Sequence, residues 1–115
     1  MVNQTESRLL YEILKTLGLH GAVFRTNAGQ FFDKSGRRVS GLPKGFSDIM
    51  LILPGGQACF IECKTKPNKP TDEQVEFIEK MRRLGCRAGV AFSIDDALRI
   101  CGLTDNAAST VAQGQ

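Results

Sequence analysis

The chain has a single histidine, no Cys-x-x-Cys pair and no apolar run near the length of a membrane span. Each shortage removes a class of function. A bilayer needs roughly 20 consecutive apolar residues, and the opening MVNQTESR carries no signal-peptide core, so an intracellular, cytoplasmic location is expected. Zinc favours clustered Cys and His ligands. With Cys59, Cys63, Cys86 and Cys101 scattered and only His20 to help them, a structural zinc site is not expected. The lone histidine also argues against chemistries that need several as bases or ligands. His20 follows Gly18-Leu19 at the end of a helix pattern, where a surface or capping role suits it. There is no internal repeat. At 115 residues the chain supports one core, placed at residues 1–103. Residues 104–115 lack aromatics and periodicity and read as a mobile tail.

What the chain has is an uneven distribution of charge. The net charge of +3 is a weak pointer to an anionic partner. Between residues 25 and 69, however, Arg25, Lys34, Arg37, Arg38, Lys44, Lys64, Lys66 and Lys69 face only Asp33, Asp48 and Glu62. This is either a solvated basic face or a surface for a polyanion.

Two of those acids lie in the strongest strand signal, GFSDIMLILPGGQACFIECK at residues 45–64. The turn signal Pro-Gly-Gly joins two apolar runs, 49–53 and 58–64, into a predicted hairpin. Alternation places Glu62 and Lys64 on one face of the second strand, with Ile61 and Cys63 on the other. Pairing would bring Asp48 to the same end of the sheet. Desolvated charge costs several kcal/mol unless it is paired or holds a metal, so two readings stay open. Glu62 and Lys64 form an ion pair with Asp48 exposed, or Asp48, Glu62 and the Cys63 carbonyl offer the hard oxygen ligands that suit Mg²⁺. In the second reading Lys64 orients an attacking water.

The flanking elements offer company for this cluster. Residues 5–17 show a helical apolar stripe of Leu9, Leu10, Ile13, Leu14 and Leu17 ended by Gly18. At about 100° per residue Glu6 projects onto that stripe. It is either a favourable first-turn charge or an acid at the edge of a site. Ala22 to Thr26 reads as a short strand, and residues 27–45 as a glycine-rich basic loop. Thr71 and Gln74 have capping-box spacing at the start of a helix that should bury Phe77, Ile78, Met81 and Leu84. Gln74 projects onto that inward face, so it serves the cap, the site or both. A strand at 88–92 and a short helix from Ser93 to about Cys101 follow.

The spacing D-x13-E-x-K, with Asp48, Glu62 and Lys64 at its fixed positions, resembles the PD-(D/E)xK phosphodiesterase superfamily. GLPKGFSDIMLI followed by FIECKTKPNKPTDEQ is similar to the virus-type replication-repair nuclease (VRR-NUC) domain. Glu6-Ser7, Arg25-Thr26-Asn27-Ala28-Gly29 and Gln74 match further motifs of that family. The likeness covers roughly residues 5–100. One departure is Ser47, where proline often precedes the acid; proline stiffens the chain but supplies no ligand.

The resemblance implies an α/β, restriction-endonuclease-like core with a mixed β-sheet flanked by helices. It implies Mg²⁺- or Mn²⁺-dependent endonuclease activity on DNA, with Asp48, Glu62, Lys64, Gln74 and Glu6 as catalytic positions. The expected metal set is Asp48, Glu62, the Cys63 carbonyl and Glu6. Expected DNA contacts are Arg25, Asn27, Arg37, Arg38, Lys44, Lys66 and Lys69. Stand-alone members of this size are expected to act as homodimers on branched DNA, such as four-way (Holliday) junctions or flaps in DNA repair, since one small domain makes few phosphate contacts. Two other readings are a non-catalytic DNA-binding module with the same fold and a restriction-type enzyme reading base sequence. The latter needs major-groove readout elements for which the chain has little room.

Overall fold

The computed structural model describes residues 5–26, 31–39 and 41–103. The expected tail at 104–115 and the candidate DNA contact Asn27 lie outside these.

Helix α1, Glu6–Leu17, starts where the Thr5 side chain accepts from Arg8 N at 3.1 Å. That bond satisfies one of the amides a helix start leaves open. Leu9, Ile13 and Leu17 are fully buried and Leu10 and Leu14 partly so, as the stripe requires. Strands β1 (Ala22–Arg25), β4 (Ile49–Ile52), β5 (Ala58–Cys63) and β6 (Arg87–Ala91) form a mixed sheet in the order β1-β4-β5-β6. The first three are antiparallel neighbours, with Ile49 opposite Ile61. Helix α2, Asp72–Arg83, carries the chain from β5 to its parallel neighbour β6. Helix α3, Ile94–Ile100, follows an N-cap at Ser93.

Two cores lie on opposite faces of the sheet. Leu9, Ile13, Leu17, Ile49, Leu51, Cys59, Ile61, Cys63, Ala91, Ala97 and Cys101 form the larger one, under α1 and α3. Phe60, Ile78 and Ala88 form the smaller, under α2, with Phe46, Met50, Phe77 and Met81 packed around them. β5 runs between two strands and under helices on both faces, so nearly every residue in it is buried.

Two readings change. Leu84, expected in the core, is 68% exposed because it sits at the C-cap of α2, past the last inward position. The basic segment read as loop contains a second, two-stranded sheet, β2 (Phe31–Phe32) with β3 (Arg38–Val39). Strands of two residues are too short to show alternation in sequence.

Candidate active site

The register decides where the acids go. Ile49 faces Ile61, so Asp48, one step beyond β4, arrives beside Glu62 near the end of β5. Glu62 shares its face with Phe60, on the α2 side. Asp48 is held at three points. Its carboxylate accepts from Cys63 N at 3.0 Å, its carbonyl accepts from Thr26 N at 2.8 Å, and Thr26 Oγ1 donates to the carbonyl of neighbouring Ser47. In an extended strand a residue's N–H and C=O point to the same side. The Cys63 carbonyl therefore turns toward the Asp48 side of β5.

Gln74 closes the site from α2. Its Oε1 accepts from Thr71 N at 2.8 Å while Thr71 Oγ1 accepts from Gln74 N, completing the capping box. With the amide oxygen engaged, its Nε2 faces outward and donates to Glu62 Oε2 at 2.9 Å. The cap and the site are thus served by opposite ends of one amide. Lys64 Nζ stands 3.8 Å from the same Glu62 oxygen.

The other carboxylate oxygen, Glu62 Oε1, is buried and has no hydrogen-bond partner. Glu62 is 2% exposed. Burial and then the Asp48 charge push its carboxyl up to about 8, with smaller contributions from a hydrogen bond to Asp48 in the protonated form and from Glu6, while Lys64 pulls the other way. An orphaned carboxylate oxygen beside a second carboxylate is where a divalent cation relieves both the desolvation and the repulsion. Among the described residues no group of three or more His, Cys, Asp or Glu side chains is arranged to hold a metal. Two carboxylates and a carbonyl nevertheless suit Mg²⁺, which keeps several waters and is bound through one or two carboxylates plus substrate phosphate. The residues present therefore fit such an ion. Glu6 is half-buried and acts on Glu62 through its field, outside any closed three-acid cluster.

Of the predicted cations, Arg25, Lys44, Lys66 and Lys69 adjoin this end by register, ion pairing or chain position. Arg25 ends β1 opposite Ile49 and is exposed. Lys66 and Lys69 are exposed in the segment after Lys64, and Arg37 and Arg38 in the β2–β3 hairpin. Lys44 is partly offset by Glu73, 3.6 Å away. Gly45, with φ +94°, brings this loop against α2: a Cβ there would meet the Glu73 carbonyl oxygen at 2.6 Å, so no side chain fits.

The sequence left two supports unmarked. Phe46 packs with Phe60 and Phe77, with ring centroids 5.8 and 4.5 Å away, and seats the chain just before Asp48. The Thr26 tether is the second. Ser47, singled out in the sequence for replacing proline, is fully buried with no partner for its Oγ. An aromatic preceded by glycine is a visible signal for the first; the second depends on tertiary geometry.

A mixed sheet with acids and a lysine at one end, covered by helices on both faces, defines an α/β fold. The VRR-NUC domain model matches residues 8–94, and the chain belongs to that family. A solved VRR-NUC domain matches with a TM-score of 0.57 at 20% identity, over 96% of this chain and 97% of its own. A second VRR-NUC domain protein matches with a TM-score of 0.57 at 19% identity, over 88% of each chain. No curated protein matches.

Proposed function

We propose that this protein is a divalent-metal-dependent, structure-selective DNA endonuclease, acting as a homodimer on branched DNA such as four-way junctions or flaps. The observation that carries the reading is the buried, unpartnered Oε1 of Glu62 beside Asp48, with the Lys64 ammonium 3.8 Å from the other Glu62 oxygen.

Each residue has a task that its position supports. Asp48 and Glu62, with the Cys63 carbonyl, would hold Mg²⁺ or Mn²⁺. When bound, the ion supplies positive charge against the phosphodiester and a more acidic water. Lys64 orients the attacking water and opposes charge building on the phosphate oxygens. Gln74 holds Glu62 by one oxygen and leaves the other for the ion. Glu6 tunes the site through its charge. Arg25, Arg37, Arg38, Lys66 and Lys69 contact phosphates, with Lys44 contributing less while paired to Glu73.

A panel of end-labelled linear duplex, 5′-flap and four-way-junction DNAs, incubated with Mg²⁺, Mn²⁺ or EDTA, tests the proposal. Cleavage near the branch that needs metal is expected. Equal cutting of the linear duplex would remove the structure selectivity, and no cutting of any substrate with either ion would leave a DNA-binding module.

A further inference from the structure

The β2–β3 hairpin has features that phosphate contacts alone leave unused. Phe32 is 62% exposed. Its cross-strand partner is Arg38, so the two side chains stand on the same face of the hairpin as direct neighbours. A ring left in water beside a guanidinium has no packing purpose in the hairpin itself.

The turn that presents this pair is closed by its own hydrogen bonds. Asp33 N donates to Arg37 O at 2.9 Å and Gly36 N to Asp33 O at 3.0 Å. The carboxylate of Asp33 accepts from Ser35 N, Ser35 Oγ and Arg37 N, at 3.0, 2.7 and 2.9 Å. Those bonds hold its carboxyl below the usual carboxylate range and tie the hairpin's one acid, itself exposed, to the turn. Lys34, Arg37 and Arg38 remain exposed. Among the described residues the ion pairs are Lys44–Glu73, Lys64–Glu62 and Arg99–Asp96, and none engages these three cations. Three exposed cations against one exposed carboxylate leave the tip net positive.

The hairpin is also rooted at the candidate active site. The chain leaves β1 at Thr26, which bonds to Asp48 O and Ser47 O. It returns through Phe46 directly into Ser47 and Asp48. Both ends of this excursion therefore meet at the metal-binding carboxylate.

We infer that Phe32 is a stacking platform for an unpaired nucleobase at the branch of a DNA substrate, with Arg38 beside it on the adjoining phosphate. The inference rests on the DNA-binding part of the function proposed above. The cations favour a polyanion over an apolar protein partner, and an aromatic ring offers a base what a phosphate cannot use. In linear duplex every base is already stacked; at a flap or junction some are not. The hairpin thereby contributes discrimination between branched and linear DNA.

The chain contains no tryptophan, so F32W installs a lone tryptophan, excited apart from Tyr11, that keeps the aromatic face. In EDTA, where no metal-dependent cleavage occurs, its emission should fall by about half or more on saturation with a 5′-flap or four-way junction. Linear duplex, bound to the same extent by anisotropy, should leave it nearly unchanged. F32A should lower affinity for the branched DNAs on the order of tenfold, with the melting temperature unchanged and F32W restoring binding. Equal quenching by linear duplex, or no quenching by bound branched DNA, overturns the inference. So does emission that follows protein concentration without DNA, which would place Phe32 between two copies of the chain. Because this readout needs no cleavage, quenching in a protein that cuts nothing would refute the endonuclease and leave the platform standing.

Discussion

The two faces of β5 are built from alternate residues of one strand and face opposite environments. Toward α1 and α3 it presents Cys59, Ile61 and Cys63, all fully buried in an apolar core. Toward α2 it begins the same way, with Phe60 against Ile78, Phe46 and Phe77, and then changes to Glu62 and Lys64. On the first face burial stabilises the fold through close packing. On the second, Glu62 is buried and Lys64, just past the strand, is partly buried, placing charge out of water at a cost to stability, a pattern more common at functional sites than in a core. Cys63 shows the division within one residue: its thiol belongs to the apolar core, where burial pushes it well above the ordinary thiol range, while its amide and carbonyl face the Asp48 side.

Substitutions can test whether that division holds. The largest effect is expected for Lys64→Ala, which should lower the cleavage rate of branched DNA by about 10²–10³ or more while leaving melting temperature and DNA binding nearly intact. Full activity in this variant would remove Lys64 from the chemistry. One strand position before Glu62 and on the opposite face, Ile61→Ala should cost about 2–5 kcal/mol of stability through a core cavity, measured by urea unfolding. A cost of less than about 1 kcal/mol would mean the larger core relaxes freely.

Glu62→Gln should act in the other direction on the metal-free fold. The carboxyl titrates near 8 when folded, above its ordinary value of 4.5. The folded state therefore holds a proton that the unfolded chain releases, and stability falls as pH rises from about 4.5 to 8. Glu62→Gln should flatten that fall and raise the melting temperature at pH 8 by an amount worth up to a few kcal/mol. A pH profile identical to the parent would show that Glu62 is not the group responsible.

Gln74 separates its two roles under substitution. Gln74→Glu keeps an acceptor for Thr71 N and so the cap, but loses the donor to Glu62. Gln74→Ala loses both, at about 0.5–2 kcal/mol for the cap. Metal affinity should fall about 10–100-fold in both variants, whereas the melting temperature of the metal-free protein should fall mainly in Gln74→Ala. Unchanged metal affinity in Gln74→Glu would reduce the residue to a cap. The smallest expected effect is at the rim. Neutralising Arg37 or Arg38 should weaken DNA binding and reduce the slope of log affinity against log salt by roughly one for each phosphate that is no longer neutralised; an unaltered slope would place these side chains off the DNA.

How much of this is legible in the sequence depends on the range of the interaction. The α1 stripe, the hairpin of β4 and β5, the Thr71 cap and the alternation of Glu62 with Cys63 follow from local spacing, and each appears where the pattern places it. The side of the sheet on which Glu62 lies does not follow, because alternation separates faces without saying which helix covers each. The orphaned Oε1 is equally hidden: it depends on Gln74, a distant position in the chain, taking the other oxygen. The tethers of Thr26 and the ring of Phe46 hold Asp48 through contacts that no single segment encodes. Strands as short as β2 and β3 leave no periodic trace, so the exposed Phe32 reads as loop.

The most direct test is a calorimetric titration of metal-free protein with Mn²⁺ at pH 7, repeated in buffers of different ionisation enthalpy and with Glu62→Gln. At that pH the Glu62 carboxyl, titrating near 8, is mostly protonated, and the ion must displace its proton. Saturable binding that releases close to one proton and tightens toward pH 8 is predicted, with both the affinity and the proton release abolished in Glu62→Gln. Binding of equal strength and proton count in the two proteins would contradict the assignment of Glu62 as the ligand around which the site is built.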